Sequence, residues 1–254
     1  MIRGLYSAAS GMASTMMDMD ILANNLSNMN TTGFKKSTSN YQAFKDVLIN
    51  RIDKQGSEKI GSYASGVQLA GTHVQHNQGT LKRTNNPFDL ALQGTGFFKL
   101  EGPNGQTLYT RNGSFTRSAN GFIVNQDGMR VLGQNNGPIQ IPENVSQITI
   151  TNGGLVANGE QVLGQIGIEE FSNPESLEQQ GQYLFSEGPG TRRETFSEDK
   201  TTVVQGSLEL ANVNAVEELV RNISGVRRYE SIQRSIRMQN ESLKLAVTQV
   251  GRYR

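Results

Sequence analysis

The sequence predicts an α+β protein, with long N- and C-terminal helices forming a coiled-coil-like layer and a central β-rich domain of sandwich or open-barrel type. Three observations predict it. Apolar residues at both ends of the chain recur at alternating steps of three and four. Between about 85 and 170, short β-branched and aromatic runs alternate with Asn-Gly and Asp-Gly pairs. The chain of 254 residues is 35% hydrophobic and holds 28 glycines, so it offers a modest core and much turn.

The C-terminal seam runs Val216, Leu219, Ile223, Val226, Tyr229, Ile232, Ile236, Leu243, Ala246 and Val250. One extra step of three separates Val226 from Tyr229, and Gln239 is the polar member. So narrow a stripe is that of a coiled coil rather than of a globular surface helix. At about 1.5 Å per residue the helix is roughly 55 Å long. One small core cannot cover it, so the seam needs a partner. The helix starts near Asn214, where Asn214 and Glu217 have capping-box spacing.

The matching pattern stands at the other end, over residues 4–29: Leu5, Ala9, Met12, Met16, Met19, Ala23 and Leu26. Two ordinary amphipathic helices on one core have the same period, so spacing alone does not name the partner. Gly4 and Gly11 each weaken this helix by about 1 kcal/mol relative to Ala. The run Asn24, Asn25, Asn28 and Asn30 frays its end, because Asn competes for nearby backbone. Gly33 then supplies a left-handed stop and Phe34 an apolar anchor. Met12, Met16, Met17 and Met19 form an adaptable surface. A membrane-lying helix is disfavoured, since its polar face lacks Lys and Arg.

Residues 41–53, with Tyr41, Phe44, Val47, Leu48 and Ile52, fit a short helix or a strand. The Gly/Ser/Lys-rich stretch 54–66 reads as a loop, and Val67 to Leu69, Val74 and Leu81 as short extended pieces. Turn pairs follow at Asn104-Gly105, Asn112-Gly113, Asn120-Gly121, Asp127-Gly128, Asn152-Gly153 and Asn158-Gly159. Residues 172–203 are polar and read as a loop with little core. The organisation expected is therefore 1–34 N-terminal helix and Asn-rich signature, 35–84 linker, 85–205 β-rich domain and 206–254 C-terminal helix.

Composition excludes several functions. A net charge of +1 gives no electrostatic case for nucleic acid or an anionic membrane. Arg252 and Arg254 read as a solvated tail. With no cysteine there is no disulfide, thiolate metal site or cysteine nucleophile. No stretch is apolar for long enough to span a bilayer, and the N-terminus lacks the apolar run of a cleavable signal peptide. His73 and His76 lack a third metal ligand and read as solvent-facing imidazoles. Gly94-Thr95-Gly96-Phe97-Phe98 lacks the third glycine and the helix of a dinucleotide loop. Glu169 and Glu170 are adjacent, so on a strand they point apart and cannot act as a pair. The expectation is no catalytic, cofactor or metal site.

Three separated blocks then resemble one family. Ala23-Asn24-Asn25-Leu26-Ser27-Asn28-Met29-Asn30-Thr31-Thr32-Gly33-Phe34-Lys35 is similar to the N-terminal signature of bacterial flagellar rod and hook proteins. Gly206-Ser207-Leu208-Glu209-Leu210-Ala211-Asn212-Val213-Asn214, continuing through Glu217-Glu218-Leu219-Val220, resembles their C-terminal signature. Gly94-Thr95-Gly96-Phe97-Phe98, Tyr109-Thr110-Arg111-Asn112-Gly113-Ser114-Phe115 and Pro138-Ile139-Gln140-Ile141-Pro142 match the middle. Length and a single β-domain resemble the basal-body rod members, most like the distal rod subunit, with the proximal subunit next and a longer hook-like protein behind.

The resemblance implies a non-enzymatic subunit that the flagellar type III apparatus exports unfolded. It implies a helical homopolymer that also meets other rod and hook proteins, with terminal helices as an inner tube and the β-domain outside. It implies no nucleic acid and no direct membrane insertion. Asn24, Asn25 and Asn28, with Gly33 and Phe34, then set register, the asparagines bonding to neighbouring subunits.

Elementary energetics points the same way. Isolated helices are marginal in water, and each seam residue contributes roughly 1.5–3 kcal/mol only once buried. The ends are expected to gain their order on assembly. A head-to-tail contact that does not close makes a filament. The rival of another class is a surface binding module on a coiled-coil stalk, which forms an oligomer of fixed number.

Overall fold

A computed structural model describes residues 2–44, 47–53, 56–63, 66–142, 145, 148–194 and 196–250, with side chains for 4–44, 61–62, 66–142, 145, 148–194 and 196–249. Arg252 and Arg254 and the side chains of Val47, Leu48, Ile52 and Val250 lie outside the described residues. The chain forms two compact units. One comprises Met1–Leu26, Ser37–His73 and Ala215–Arg254; the other comprises Ser27–Lys36 and Val74–Asn214.

In the first unit, helix α1 spans Ile2–Ser27 and helix α2 spans Ala215–Val250. They run antiparallel. Asn25 meets Glu218, a Cβ on Gly225 would lie 3.0 Å from Met19 Cγ, one on Gly11 3.7 Å from Ile232 Cδ1, and one on Gly4 2.9 Å from Gln239 Nε2. Rising numbers on one helix meet falling numbers on the other.

The phase of α2 differs from the sequence reading in its first three turns. Its less exposed face is Ala215, Glu218, Asn222, Gly225, Tyr229, Ile232, Ile236, Gln239 and Leu243, an unbroken alternation of three and four. Val216, Leu219, Ile223 and Val226 stand one residue off this face and are 42–70% exposed. The extra step of three between Val226 and Tyr229 marks where the apolar residues change sides. A similar offset occurs in α1. Leu22, Asn25, Ser14 and Thr15 are buried, Leu5, Met12, Met19 and Leu26 are half-buried, and Ala9, Met16 and Ala23 are exposed. Ala246 is exposed too.

The rest of this unit is a nested hairpin. Strand Ser37–Ala43 pairs with Val67–Val74, and Val47–Asp53 pairs antiparallel with Gly56–Tyr63. Tyr41–Ala43 and Val47–Asp53 are thus extended. Within the expected loop 54–66, Gly56–Tyr63 is a strand. Gly56, Ser57, Gly61 and Ser62 are turn-favouring residue types, which is why the stretch reads as a loop. The base of the hairpin lies on α1: Tyr41 Oη donates to the Ser14 carbonyl at 3.2 Å, and Ser39 Oγ to Asp18 Oδ1 at 2.6 Å.

The second unit is β-rich and antiparallel. Its main sheet runs Leu177–Gln180, Leu184–Glu187, Thr107–Thr110, Phe97–Glu101, Arg130–Val131, Ile123–Val124 and Thr116–Arg117, with Ile168–Phe171 also pairing Phe97–Glu101. Phe97 and Phe98 point to opposite faces, as neighbours on a strand must, and each belongs to its own core. Phe98 joins Leu90, Leu92, Leu100, Ile123, Ile166 and others. Phe97 joins Tyr109, Phe171, Leu177 and Phe185.

Leu177 and Phe185 correct the reading of 172–203 as a loop with little core. They lie on the hairpin Leu177–Gln180 and Leu184–Glu187, whose Gln and Glu residues hide the alternation. Five of the turn pairs do stand between antiparallel strands. Asn112-Gly113 does not. It is buried, and its Gly113 carbonyl accepts from Leu90 N at 2.9 Å, an approach that a Cβ would block.

Candidate functional site

The Asn-rich segment splits by environment. Asn24 is exposed on α1. Asn25 is wholly buried: its Oδ1 accepts from Ser37 N at 2.9 Å, and its Nδ2 donates to Ser37 O at 2.8 Å and to Glu218 Oε2 at 3.2 Å. The carboxamide thus pairs with the Ser37 backbone as a neighbouring strand would, and spends its second N–H on a carboxylate of α2. Its contacts lie within the chain. Asn28 is buried as well, and its Oδ1 accepts from Thr31 Oγ1 at 3.2 Å.

Gly33 and Phe34 belong to the second unit. Gly33 has φ +70°, donates to Glu209 O at 2.8 Å, and leaves so little room that a Cβ would sit 2.3 Å from Asn112 N. Phe34 is completely buried. Lys35 follows, also buried, and its Nζ donates to Asn77 O and Glu209 Oε1, each at 2.7 Å. The same Glu209 oxygen accepts from Gly79 N at 2.8 Å. Arg111 reaches the other oxygen at 3.5 Å, donates to Gly94 O at 2.7 Å and lies 4.9 Å above the Phe97 ring.

Asn212 ties the same segments. It accepts from Lys36 N at 2.7 Å and donates to Gln75 O at 2.8 Å and Asn77 O at 3.0 Å. Residues 33–36, 75–79 and 209–212 are thereby locked together. Burial lowers Lys35 to about 8 against the pull of Glu209. Burial also lowers Arg111, again opposed by Glu209. Glu170 is buried, and neither carboxylate oxygen has a hydrogen-bond partner among the described residues.

Sequence reasoning did not single out Lys35, Arg111 or Glu209 as charges. The signal available was position: Glu209 stands between Leu208 and Leu210, and Lys35 directly after the Phe34 anchor. His76 corrects the solvent-facing reading, since its ring packs edge-on to Phe97 and Phe185 at 5.5 and 5.2 Å. Glu169 meets Lys99 at 3.3 Å, whereas Glu170 points into the unit. Among the described residues no cluster of three or more metal-ligating side chains occurs, and no helix is long and apolar enough to cross a membrane.

Two helical surfaces remain. On α2, Val216, Leu219, Val220, Ile223 and Val226 form one exposed aliphatic stripe; on α1, Tyr6, Met16 and Met17 are the large exposed apolar residues. Tyr229, Ile232, Ile236 and Leu243 are half-buried on the face of α2 that turns to α1.

Comparison with known proteins decides what these features belong to. The family described as "Flagella basal body rod protein" matches residues 5–35, "Flagellar hook protein FlgE/F/G D1 domain" matches 91–158, and "Flagellar basal body rod FlgEFG protein C-terminal" matches 204–248. The chain is 36% identical to the flagellar basal-body rod protein FlgG of Borreliella burgdorferi, over 97% of this chain and 98% of that one. This chain belongs to the flagellar basal-body rod family. It is a structural subunit of the rod. The FlgG of Caulobacter vibrioides is 34% identical over 96% of this chain and 97% of its own, and the FlgF rod protein of the same organism is 30% identical over 99% of both. The terminal matches of this rod-family chain enclose Asn25, Gly33, Phe34 and Lys35 at one end and Glu209 and Glu218 at the other.

Proposed function

We propose that this chain is the distal rod subunit, polymerising helically through its terminal helices into the shaft between motor and hook. One observation carries the reading. The helices meet through small and polar positions, Gly4, Gly11, Asn25, Glu218 and Gly225, while aliphatic residues on α2 and methionines on α1 stay exposed. Burying an exposed aliphatic side chain contributes roughly 1.5–3 kcal/mol, a gain left for contact with further subunits. The predicted seam residues take two roles. Val216, Leu219, Ile223, Val226, Ala9, Met16 and Ala23 face other subunits. Tyr229, Ile232, Ile236 and Leu243, with Leu5, Met12, Met19 and Leu26, hold the coiled-coil-like pair in one chain. Asn25 sets the register of α1 on α2, and Gly33 and Phe34 seat the signature in the β-rich unit.

The partners are further copies of the chain, other rod and hook proteins, and the flagellar type III apparatus that exports it. Its place is the extracytoplasmic basal body, and its role is mechanical rather than catalytic. A proximal rod position is the second reading, favoured by the full-length similarity to FlgF.

Light scattering of the purified chain against concentration, with electron microscopy, tests the proposal. Filaments that lengthen without limit are expected. An oligomer of fixed number refutes the rod polymer and supports the stalked binding module. Basal bodies from a deletion strain separate the two positions: a rod that stops short of the hook but keeps its proximal part marks the distal subunit.

A further inference from the structure

We propose that Asn136-Gly137 is the site at which this chain spontaneously modifies itself, the Asn136 side chain closing on the Gly137 backbone nitrogen and ending as aspartate or isoaspartate. The inference is independent of the assembly reading.

The chemistry is built into the dipeptide. The nitrogen of the glycine can reach the carboxamide carbon of the preceding asparagine, and with no Cβ on the glycine nothing shields it. Gly137 N gives its proton to solvent base and bonds to Asn136 Cγ. The Cγ–Nδ2 bond breaks, and the leaving nitrogen takes up a proton as ammonia. Water then opens the cyclic imide at either carbonyl, giving aspartate or isoaspartate. The net reaction consumes one water and releases one ammonia, with no change of oxidation state.

Six Asn-Gly pairs occur in the chain, and the fold restrains five of them. Asn112 is buried, and its Oδ1 accepts from Ser114 N at 3.0 Å. Gly105 N donates to Gly102 O at 3.0 Å, and Gly121 N to Ser118 O at 2.9 Å. Asn152 O accepts from Val203 N at 2.8 Å, and Gly153 is buried. Asn158 belongs to the strand Leu155–Asn158, in register with Gln161. Attack requires the peptide plane between the two residues to turn, and each of these contacts opposes that turn.

Asn136-Gly137 differs on three counts. Both residues are exposed. Among the described residues neither Asn136 O nor Gly137 N makes a hydrogen bond, so the plane between them turns without breaking one. The bonds that shape this turn lie outside that plane: Asn136 N donates to Gly133 O at 3.0 Å, and Gly133 N to Gly137 O at 2.8 Å. Finally, Lys99 Nζ donates to Asn136 Oδ1 at 3.2 Å. Negative charge develops on that oxygen as the nitrogen attacks, and a donor already in place stabilises it. Lys99 is itself buried and held by Glu169 at 3.3 Å.

The test is incubation of the purified chain at mildly alkaline pH, followed by peptide mapping with fragment ions that separate aspartate from isoaspartate. Conversion at Asn136 is expected to outrun each of the other five sites by roughly tenfold or more. In urea, where the folded contacts are gone, that lead should vanish. Even conversion across the exposed pairs, another pair leading, or the same lead in urea overturns the assignment. Gly137→Ala suits the fold, since its Cβ meets nothing within 4 Å, but it hinders the nitrogen. Conversion at Asn136 should then fall roughly tenfold, and an unchanged rate also overturns the proposal. Lys99→Met tests the donor. A fold merely loosened by that change would speed conversion at Asn104, Asn120 and Asn136 together, whereas loss of the donor slows Asn136 alone. A rate at Asn136 that is unchanged or faster removes Lys99 from the site.

Discussion

The carboxamide of Asn25 donates to the carboxylate of Glu218 at 3.2 Å, and both side chains are buried. Those residues are 193 positions apart in the chain, so this contact joins the first and last elements of the molecule. A buried polar group left without its partner costs about 1–3 kcal/mol. Asn25→Ala strips Ser37 and Glu218 of a partner at once. The helical unit should lose about 2–3 kcal/mol, read as an earlier loss of helical circular dichroism in urea. Asn25→Asp keeps an acceptor for Ser37 N but sets a carboxylate against Glu218. It should be the more damaging change at neutral pH. Equal stability of all three chains would remove Asn25 from this role.

Glu209 is the only acid that touches both Lys35 and Arg111 among the described residues. Removing one member of a buried ion pair strands the other charge, at a cost of about 3–5 kcal/mol. Glu209→Gln should destabilise the β-rich unit by that order. The Lys35→Met and Glu209→Gln double variant should recover part of the loss, since it buries one charge fewer. Denaturant unfolding followed by tyrosine fluorescence checks this. A double variant as unstable as the sum of the singles contradicts the pairing.

Lys35 also predicts a pH dependence. Burial lowers its folded value from 10.5 to about 8. Between about 8 and 10.5 the unfolded chain therefore binds more protons than the folded one, and stability from this group rises with pH. Below about 8 both states hold the proton and the contribution is constant. The difference in unfolding free energy between the wild-type chain and Lys35→Met isolates it from the tyrosines. The wild type should gain on the variant through that window. A flat difference rules the shift out.

Two glycines should respond in opposite directions to the same substitution. At Gly11 a Cβ meets only Ile232 Cδ1, at an ordinary 3.7 Å. Gly11→Ala should stabilise α1 by about 1 kcal/mol. At Gly33 the backbone is left-handed and the Cβ would lie 2.3 Å from Asn112 N. Gly33→Ala should cost about 3 kcal/mol or more through strain and overlap. Thermal unfolding of the two variants decides it.

Much of this was readable from residues alone. The narrow three-and-four period placed both helices, and the Asn-Gly and Asp-Gly pairs placed most strand reversals, because backbone spacing and turn chemistry act locally. The left-handed backbone of Gly33 and the anchoring of Phe34 were legible for the same reason, although α1 ends at Ser27 and Gly33 bonds Glu209 rather than the helix. The family blocks led to the rod assignment.

The tertiary structure decided the phase. A period says how far apart the buried residues lie, not which set of them is buried. In the first turns of α2 that choice went to Glu218 and Gly225, because Asn25 and Met19 lie opposite, and the aliphatic residues were turned outward. The same holds for the buried charges. Lys35, Arg111 and Glu209 read separately as ordinary polar residues, and nothing near any of them in the chain foretells the others. Local interactions write themselves into neighbouring residues; burial depends on what the fold brings from a distance, and that is settled only when the chain is closed.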